Sequence, residues 1–411
     1  MTNKTLLSLI AFLLLAACSN DAPPPEEPIA DLAAEAQRIA TSSIIIDTHV
    51  DVPYRLESRP ADVSHATEGG DFDYPRAVRG GLNVPFMSIY TPADLEAEGR
   101  SKEVAEKLID SVEAVVDSAP DKFAIARSVA DVRAQFAAGL MSLPMGMENG
   151  SPIEGDLANL QHFYDRGIRY VTPAHSLSNH ISDSSYDDNR QWGGLSKFGK
   201  EAILEMNRVG IMVDVSHVSD DAFWQIIEIS KVPVIASHSS ARHFTPGFER
   251  NMSDEMIVAL AKNGGVIQIN FGSTFINQVA HDYGTARMEA GKQFLAEHPD
   301  LTESFLYRDF PAMYEEEHGP LPFASIDDVL DHFDHVVELT GVDHVGIGSD
   351  YDGVGDSLPN GLKDVSQYPN LVEGLLRRGY TEEDIRKILG ENLLRVWEAV
   401  ETYAATTSSS T

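Results

Sequence analysis

At 411 residues and 43% hydrophobic content, the chain suffices for one large α/β domain or two ordinary ones, and it can bury a sizeable core, which excludes a disordered polypeptide. Its 64 Asp+Glu against 31 Lys+Arg give a formal charge of -33, a potential that repels nucleic acid and anionic lipid, and no basic cluster offsets it. Cys18 is the only cysteine, so a disulfide within the chain is excluded.

The opening "MTNKTLLSLIAFLLLAACSN" has a short n-region with Lys4, an apolar stretch from Leu6 to Leu15 and small residues before Cys18. Residues 1–17 read as an export signal, too short for a spanning helix. Leu15-Ala16-Ala17-Cys18 resembles a bacterial lipobox, which implies cleavage before Cys18 and lipidation of its thiol. Ser19 stands where Asp would be the usual inner-membrane retention signal, so the resemblance implies a lipid-anchored protein of the cell envelope, on the outer membrane and facing the periplasm. Residues 18–31, rich in Pro and acid, cannot bury apolar surface and read as a tether. A folded domain is expected over 32–402, and residues 403–411, ending in "SSST", as a frayed tail.

Eight short apolar runs follow: 43–47, 82–90, 140–147, 168–174, 211–216, 233–237, 265–270 and 344–349. Most are apolar on both faces, as parallel strands covered by helices must be. Helical patterns such as "KEVAEKLIDSVEAVVDSA" and "GLSKFGKEAILEMNRVG" separate them, the second stopping at Gly210, a residue suited to the left-handed turn after a helix. This alternation predicts a (β/α)8 barrel, with a doubly wound open sheet as the alternative.

A barrel requires chemistry to gather at the C-terminal ends of many strands, because those ends form one mouth. His49 and Asp51 end the first strand, Glu148 the third, His175 the fourth, His217 the fifth, His238 the sixth and Asp350 the eighth. Four of the 14 histidines share this position. His344 instead starts the eighth strand, so a structural place at the closed bottom is expected for it. Imidazole with carboxylate and no thiolate suits zinc or a similar divalent ion. His49, Asp51, Glu148, His217 and His238 together exceed one open tetrahedral site and fit two ions sharing a carboxylate, an arrangement that activates a bridging water for hydrolysis. Asp47, one step deeper than His49, reads as a supporting acid.

The motifs "IIIDTHVD", "GMENG", "RYVTPAHS", "GLSKFGKEAILEMNRVGIMVDVSHVSD", "VPVIASHSSAR", "RNMSDE", "HVGIGSDYDG" and "GENLLRVW" resemble, in order and over nearly the whole domain, those of the membrane dipeptidase (renal dipeptidase) family of the amidohydrolase superfamily. The resemblance implies a zinc-dependent dipeptidase with two Zn2+ at the barrel mouth, one held by His49 and Asp51, the other by His217 and His238, with Glu148 bridging. It assigns His175 to the substrate carbonyl, Arg250 to the C-terminal carboxylate, and Asp350 to carrying a proton from the bridging water to the leaving amine. It also implies dipeptide substrates, including some with C-terminal D-residues, and a homodimer without disulfide links.

Two departures stand out. Family members commonly have Glu-Gly-Gly at the bridging acid, and Asn149 takes the first Gly place; Asn tolerates φ > 0, so the turn is expected to survive. Residues 273–325, with Tyr283, Tyr307, Tyr314 and the acidic run Glu315 to Glu317, form an insertion expected to act on substrate choice, as a lid or subunit contact, or to be an inert excursion. Another binuclear amidohydrolase, acting on small lactams, cyclic amides or esters, is the alternative function. A lysine-bridged relative is disfavoured because no lysine ends a strand, a serine hydrolase because no Gly-x-Ser-x-Gly occurs, and an inactive binding lipoprotein because no ligand position is broken.

Overall fold

The computed structural model describes residues 32–301, 305–306 and 309–408. The expected signal peptide, Cys18 and tether lie outside the described residues, as does Tyr307. Eight parallel strands line the domain: β1 (Ile46–Val50), β2 (Val84–Tyr90), β3 (Met145–Glu148), β4 (Ile168–Thr172), β5 (Met212–Val213), β6 (Ile235–Ser239), β7 (Val266–Ile269) and β8 (Val345–Ile347). They pair in the order β5-β4-β3-β2-β1-β8-β7-β6. The open sheet is ruled out at its ends. Asp214, just past β5, forms a parallel bridge with Ile235, the first residue of β6, and the Val215 N–H donates to the Ile235 carbonyl at 2.7 Å, closing the barrel.

Every barrel strand is buried throughout except at Tyr90, because helices cover the outside and side chains fill the inside. Gly210 ends the helix Lys197–Val209 as expected, at φ 99°, its N–H returning to the Met206 carbonyl. The closed bottom is plugged by the helix Asn392–Ser408, whose Trp397 meets Phe86 in a tilted contact at 5.4 Å between ring centroids, while Phe86 meets Tyr170 at 5.6 Å. This aromatic layer lies beneath the polar cluster of the mouth, where Tyr170 meets His49. His344 lies at the bottom, its Nδ1 bonding the Gly265 carbonyl at 2.8 Å.

Several boundaries differ from the sequence reading: β4, β5 and β8 end at Thr172, Val213 and Ile347, so His175, His217 and Asp350 stand in the loops just beyond their strands. The first strand begins later than the apolar run, at Ile46, so His49 is inside it and Asp51 follows it, at the residue before the helix Val52–Ser58 and with its side chain free of any capping bond. The run 140–147 is divided: Met141–Ser142 pairs with Phe123–Ala124 in a separate two-stranded sheet, and the barrel strand starts at Met145, after Pro144, which has no N–H to continue a ladder. The expected frayed tail is helical through Ser408, because Ala404 is buried, its methyl close against Gly210. Among the described residues, no helix is long and apolar enough to cross a membrane.

Candidate active site

The mouth brings together every residue singled out for metal in the sequence. Glu148 is at its centre, 96% buried: one carboxylate oxygen lies 3.1 Å from His217 Nε2, 3.2 Å from His238 Nε2 and 3.5 Å from His175 Nε2, and the other lies 3.3 Å from His49 Nε2. Asp51 is 3.5 Å from His49 Nε2. Donor atoms gather within 4.8 Å of one another in three overlapping groups: His49, Glu148 and His238; Glu148, His175 and His217; and His49, Asp51 and Asp350.

Hydrogen bonds fix which ring nitrogen of two histidines faces this cluster. The Tyr170 hydroxyl donates its only proton to the Thr48 carbonyl at 3.0 Å, so toward His49 Nδ1, at 2.8 Å, it can offer only a lone pair. Nδ1 must then carry the proton, leaving the Nε2 lone pair turned to the mouth. At His238 the same logic runs through Ser237, whose Oγ donates to Asp214 at 2.6 Å and accepts from His238 Nδ1 at 2.8 Å. His217 and His238 bring their Nε2 atoms to 2.9 Å of each other. Among the described residues, His49 Nε2 is buried without a hydrogen bond of good geometry. Lone pairs converging on a shared carboxylate, with an orphaned buried nitrogen among them, fit a divalent cation pair and have no other evident partner.

The electrostatics mark a pocket that favours positive charge at His49 and neutral rings at His217 and His238. Burial opposes charge on His49, but Tyr170, Glu148 and Asp51 outweigh it and raise its pKa well above the ordinary imidazole value. Burial, with help from Arg250, holds His217 well below that value; burial, then His49 and Arg250, does the same at His238. Burial would raise Glu148, but the imidazoles of His49, His175, His217 and His238 pull it well below the carboxylate range. Burial, joined by Asp51 and Glu148, pushes Asp350 up to about 7, against the Asn270 amide that donates to it at 2.7 Å. Such a carboxyl can take and give a proton near neutrality.

Arg250 is buried, not a surface side chain: its guanidinium donates to Ser239 Oγ at 2.8 Å and to the His238 carbonyl at 2.7 Å. Its Nε, buried, has no hydrogen bond among the described residues. Phe275, in the first turn of the insertion, packs on the guanidinium at 5.6 Å. His175 meets the Tyr90 ring edge-on at 4.7 Å and is the more accessible imidazole of the cluster. Asn149 does adopt φ 75°, with its amide donating to the Thr91 carbonyl and its Oδ1 accepting from Ser151 and Asn179. His217 and Asp350 also carry positive φ, 66° and 64°, strain of a kind that concentrates at functional sites.

Several supporting residues escaped the sequence reading. Tyr170 fits inside the barrel only because Gly146 faces it; a Cβ there would fall 1.9 Å from the Tyr170 ring. The turn holding Asp350 is clamped from outside by Asp71 and Asp352, which exchange backbone N–H bonds of 2.8 Å, with Arg55 on Asp352. Asp47 does serve as a supporting acid, accepting from Ser349, His49 N–H and Tyr368 and so tying β1 to the segment after β8. The usable signal was a polar side chain within an otherwise apolar parallel strand, as at Tyr170 and Asp214.

A family model described as membrane dipeptidase (peptidase family M19) matches residues 33–411. The chain belongs to the membrane dipeptidase family. It is accordingly a metallopeptidase-class, peptide-bond hydrolase. Among solved structures of similar proteins, the probable dipeptidase PvdM from Pseudomonas aeruginosa is 26% identical, with a TM-score of 0.80 over 91% of this chain and 99% of that one. A metallo peptidase from Rhodobacter sphaeroides, liganded with a phosphinate mimic of the dipeptide L-Ala-D-Ala, is also 26% identical, with a TM-score of 0.71 over 87% and 99%. An amidohydrolase from Pseudomonas aeruginosa, at 23% identity and TM-score 0.67 over 89% and 98%, shares the dipeptidase fold.

Proposed function

We propose that the protein hydrolyses the single peptide bond of dipeptides, with two zinc-class ions held at the mouth by His49, Asp51, His217 and His238 around Glu148. The supporting observation is Glu148, whose two oxygens each reach imidazole nitrogens from different strands, as a carboxylate shared by two ions would. A divalent pair supplies water activated at neutral pH and polarises the scissile carbonyl.

The chain's own groups do the rest. Arg250, buried beside the cluster, grips the substrate carboxylate and sets the length of peptide that fits. His175, within 3.5 Å of Glu148 and open on one side, donates to the carbonyl oxygen as negative charge develops there. Asp350 accepts the proton of the attacking water and returns it to the departing amine, so the C–N bond breaks as a neutral amine leaves. The Rhodobacter relative, bound to a mimic of L-Ala-D-Ala, supports acceptance of C-terminal D-residues. Phe275 beside Arg250 supports a part for the insertion in side-chain choice. Family resemblance supports a homodimer, and the lipobox an anchor at Cys18 that Cys18→Ser would abolish, releasing the enzyme from the membrane fraction.

The test is metal analysis of the purified protein, then amino-acid release from L,L- and L,D-dipeptides beside N-blocked and C-amidated controls. Glu148→Gln should lose about a thousandfold or more in kcat, several kcal/mol of charge stabilisation. Equal cleavage of the blocked controls would sink the two-ended recognition.

A further inference from the structure

Among the described residues, one further group of metal-ligating side chains converges outside the mouth: His243, Asp254 and His335, with donor atoms all within 4.8 Å of one another. They come from three separate segments. His243 sits in the short turn Arg242–Phe244, Asp254 opens the helix Asp254–Lys262, and His335 lies in the helix Ile326–Thr340. His335 Nε2 is 2.8 Å from the Asp254 carboxylate. The His243 and His335 rings lie nearly parallel, 4.4 Å apart at 28°, close to the 3.7 Å and 26° of His49 and His238 within the mouth cluster.

The surroundings suit a cation. Phe244 packs its ring edge-on against both imidazoles, at 4.9 and 5.6 Å, which limits their rotation. Behind them His332 accepts the Ala241 N–H on Nδ1 and bonds the Ile276 carbonyl through Nε2; that pattern requires a neutral ring, so no competing positive charge lies beneath. His243 is exposed and the other two are half-buried, so an ion can enter and keep water in a fourth position. Two imidazoles, one carboxylate and no thiolate match a zinc-class ion with three protein ligands.

Position gives the group a purpose. The strap from Ser239 to Ser253 leaves β6 directly after His238, carries Arg250, and is closed at its base by Arg242 N–H to Met252 O and Met252 N–H to Ser240 O, at 2.8 and 2.9 Å. We propose that His243, Asp254 and His335 form a separate mononuclear divalent-cation site that clasps this strap to the two helices flanking it. None of its donors belongs to the mouth groups, so it stands independently of the dipeptidase reading.

The experiment strips the full exported chain with chelator and titrates it with Zn2+, counting equivalents by elemental analysis and following ligand type with Co2+ absorption. At stoichiometric Zn2+ wild type should bind one equivalent more than His335→Ala, which should take up that equivalent only at about a hundredfold or higher free Zn2+, at or beyond the upper end of what losing an outer partner costs. Exposed His243→Gln, which leaves the core intact, should lose the same equivalent, and its metal-free melting should match wild type. Glu148→Gln should keep it, whatever becomes of the mouth. Identical stoichiometry and affinity in wild type, His335→Ala and His243→Gln would overturn the proposal.

Discussion

Replacing Tyr170 with Phe removes one oxygen from the middle of the barrel and little else. Phe fills the same space beneath Gly146 and against Phe86, so no sizeable cavity opens and the ring has nowhere to shift. Burial pushes the phenol pKa up, so in wild type the hydroxyl keeps its proton throughout the working range. Its loss strands two buried groups, the Thr48 carbonyl and His49 Nδ1–H, which it held at 3.0 and 2.8 Å. Each unsatisfied buried group costs about 1–3 kcal/mol, so the metal-free protein should lose about 2–4 kcal/mol after partial relaxation. His49 also loses the bond that fixes its tautomer, and metal affinity should fall about 10–100-fold. The assay is competition with a chromogenic chelator for the mouth metals, read beside a urea unfolding curve. Ser237→Ala, which removes the equivalent bond at His238, should weaken metal binding similarly. A Tyr170→Phe protein that is destabilised yet holds metal as wild type does would show that the hydroxyl supports the fold and does not orient His49.

Arg250→Lys should raise KM for free dipeptides about 10–100-fold, one charge-assisted hydrogen bond being worth about 1.5–3 kcal/mol, while leaving the slow cleavage of C-amidated dipeptides unchanged; parallel kinetics on the two substrates decide it. Burial lowers His332 to about 4, against about 6.5 for an ordinary imidazole, so its contribution to stability is complete above 6.5 and is lost as pH falls toward 4. That is about 3 kcal/mol, and unfolding curves from pH 7.5 to 4 should show a shallower decline in His332→Gln than in wild type. Gly353→Ala would place a Cβ 2.2 Å from carboxylate oxygens of both Asp51 and Asp350, so activity should collapse with far less change in the thermal midpoint; equal losses of both would mean that the turn matters only for folding.

Much of the site was legible because strand ends are marked locally. His49, Glu148 and His238 each close or nearly close an apolar run, and a barrel leaves such ends only one place to meet. Gly210 and Asn149 were likewise readable, since the demand for φ > 0 is written into one residue. The boundary at Pro144 was readable in principle, because a residue without an N–H interrupts a ladder, but hydrophobicity alone ran the two strands together.

The linear order of residues thus determined the strand count, the barrel and the list of acids and imidazoles at its mouth, since these follow from periodicity and from which side chains sit at the ends of buried runs. Tertiary structure alone decided which nitrogen each ring presents, that Arg250 is buried, and that His243, Asp254 and His335 meet. Those facts depend on contacts between segments tens to hundreds of residues apart, such as Tyr170 with His49 and Asp71 with Asp352, and on packing such as Gly146 against Tyr170. No local pattern encodes a partner that only the closed barrel brings near.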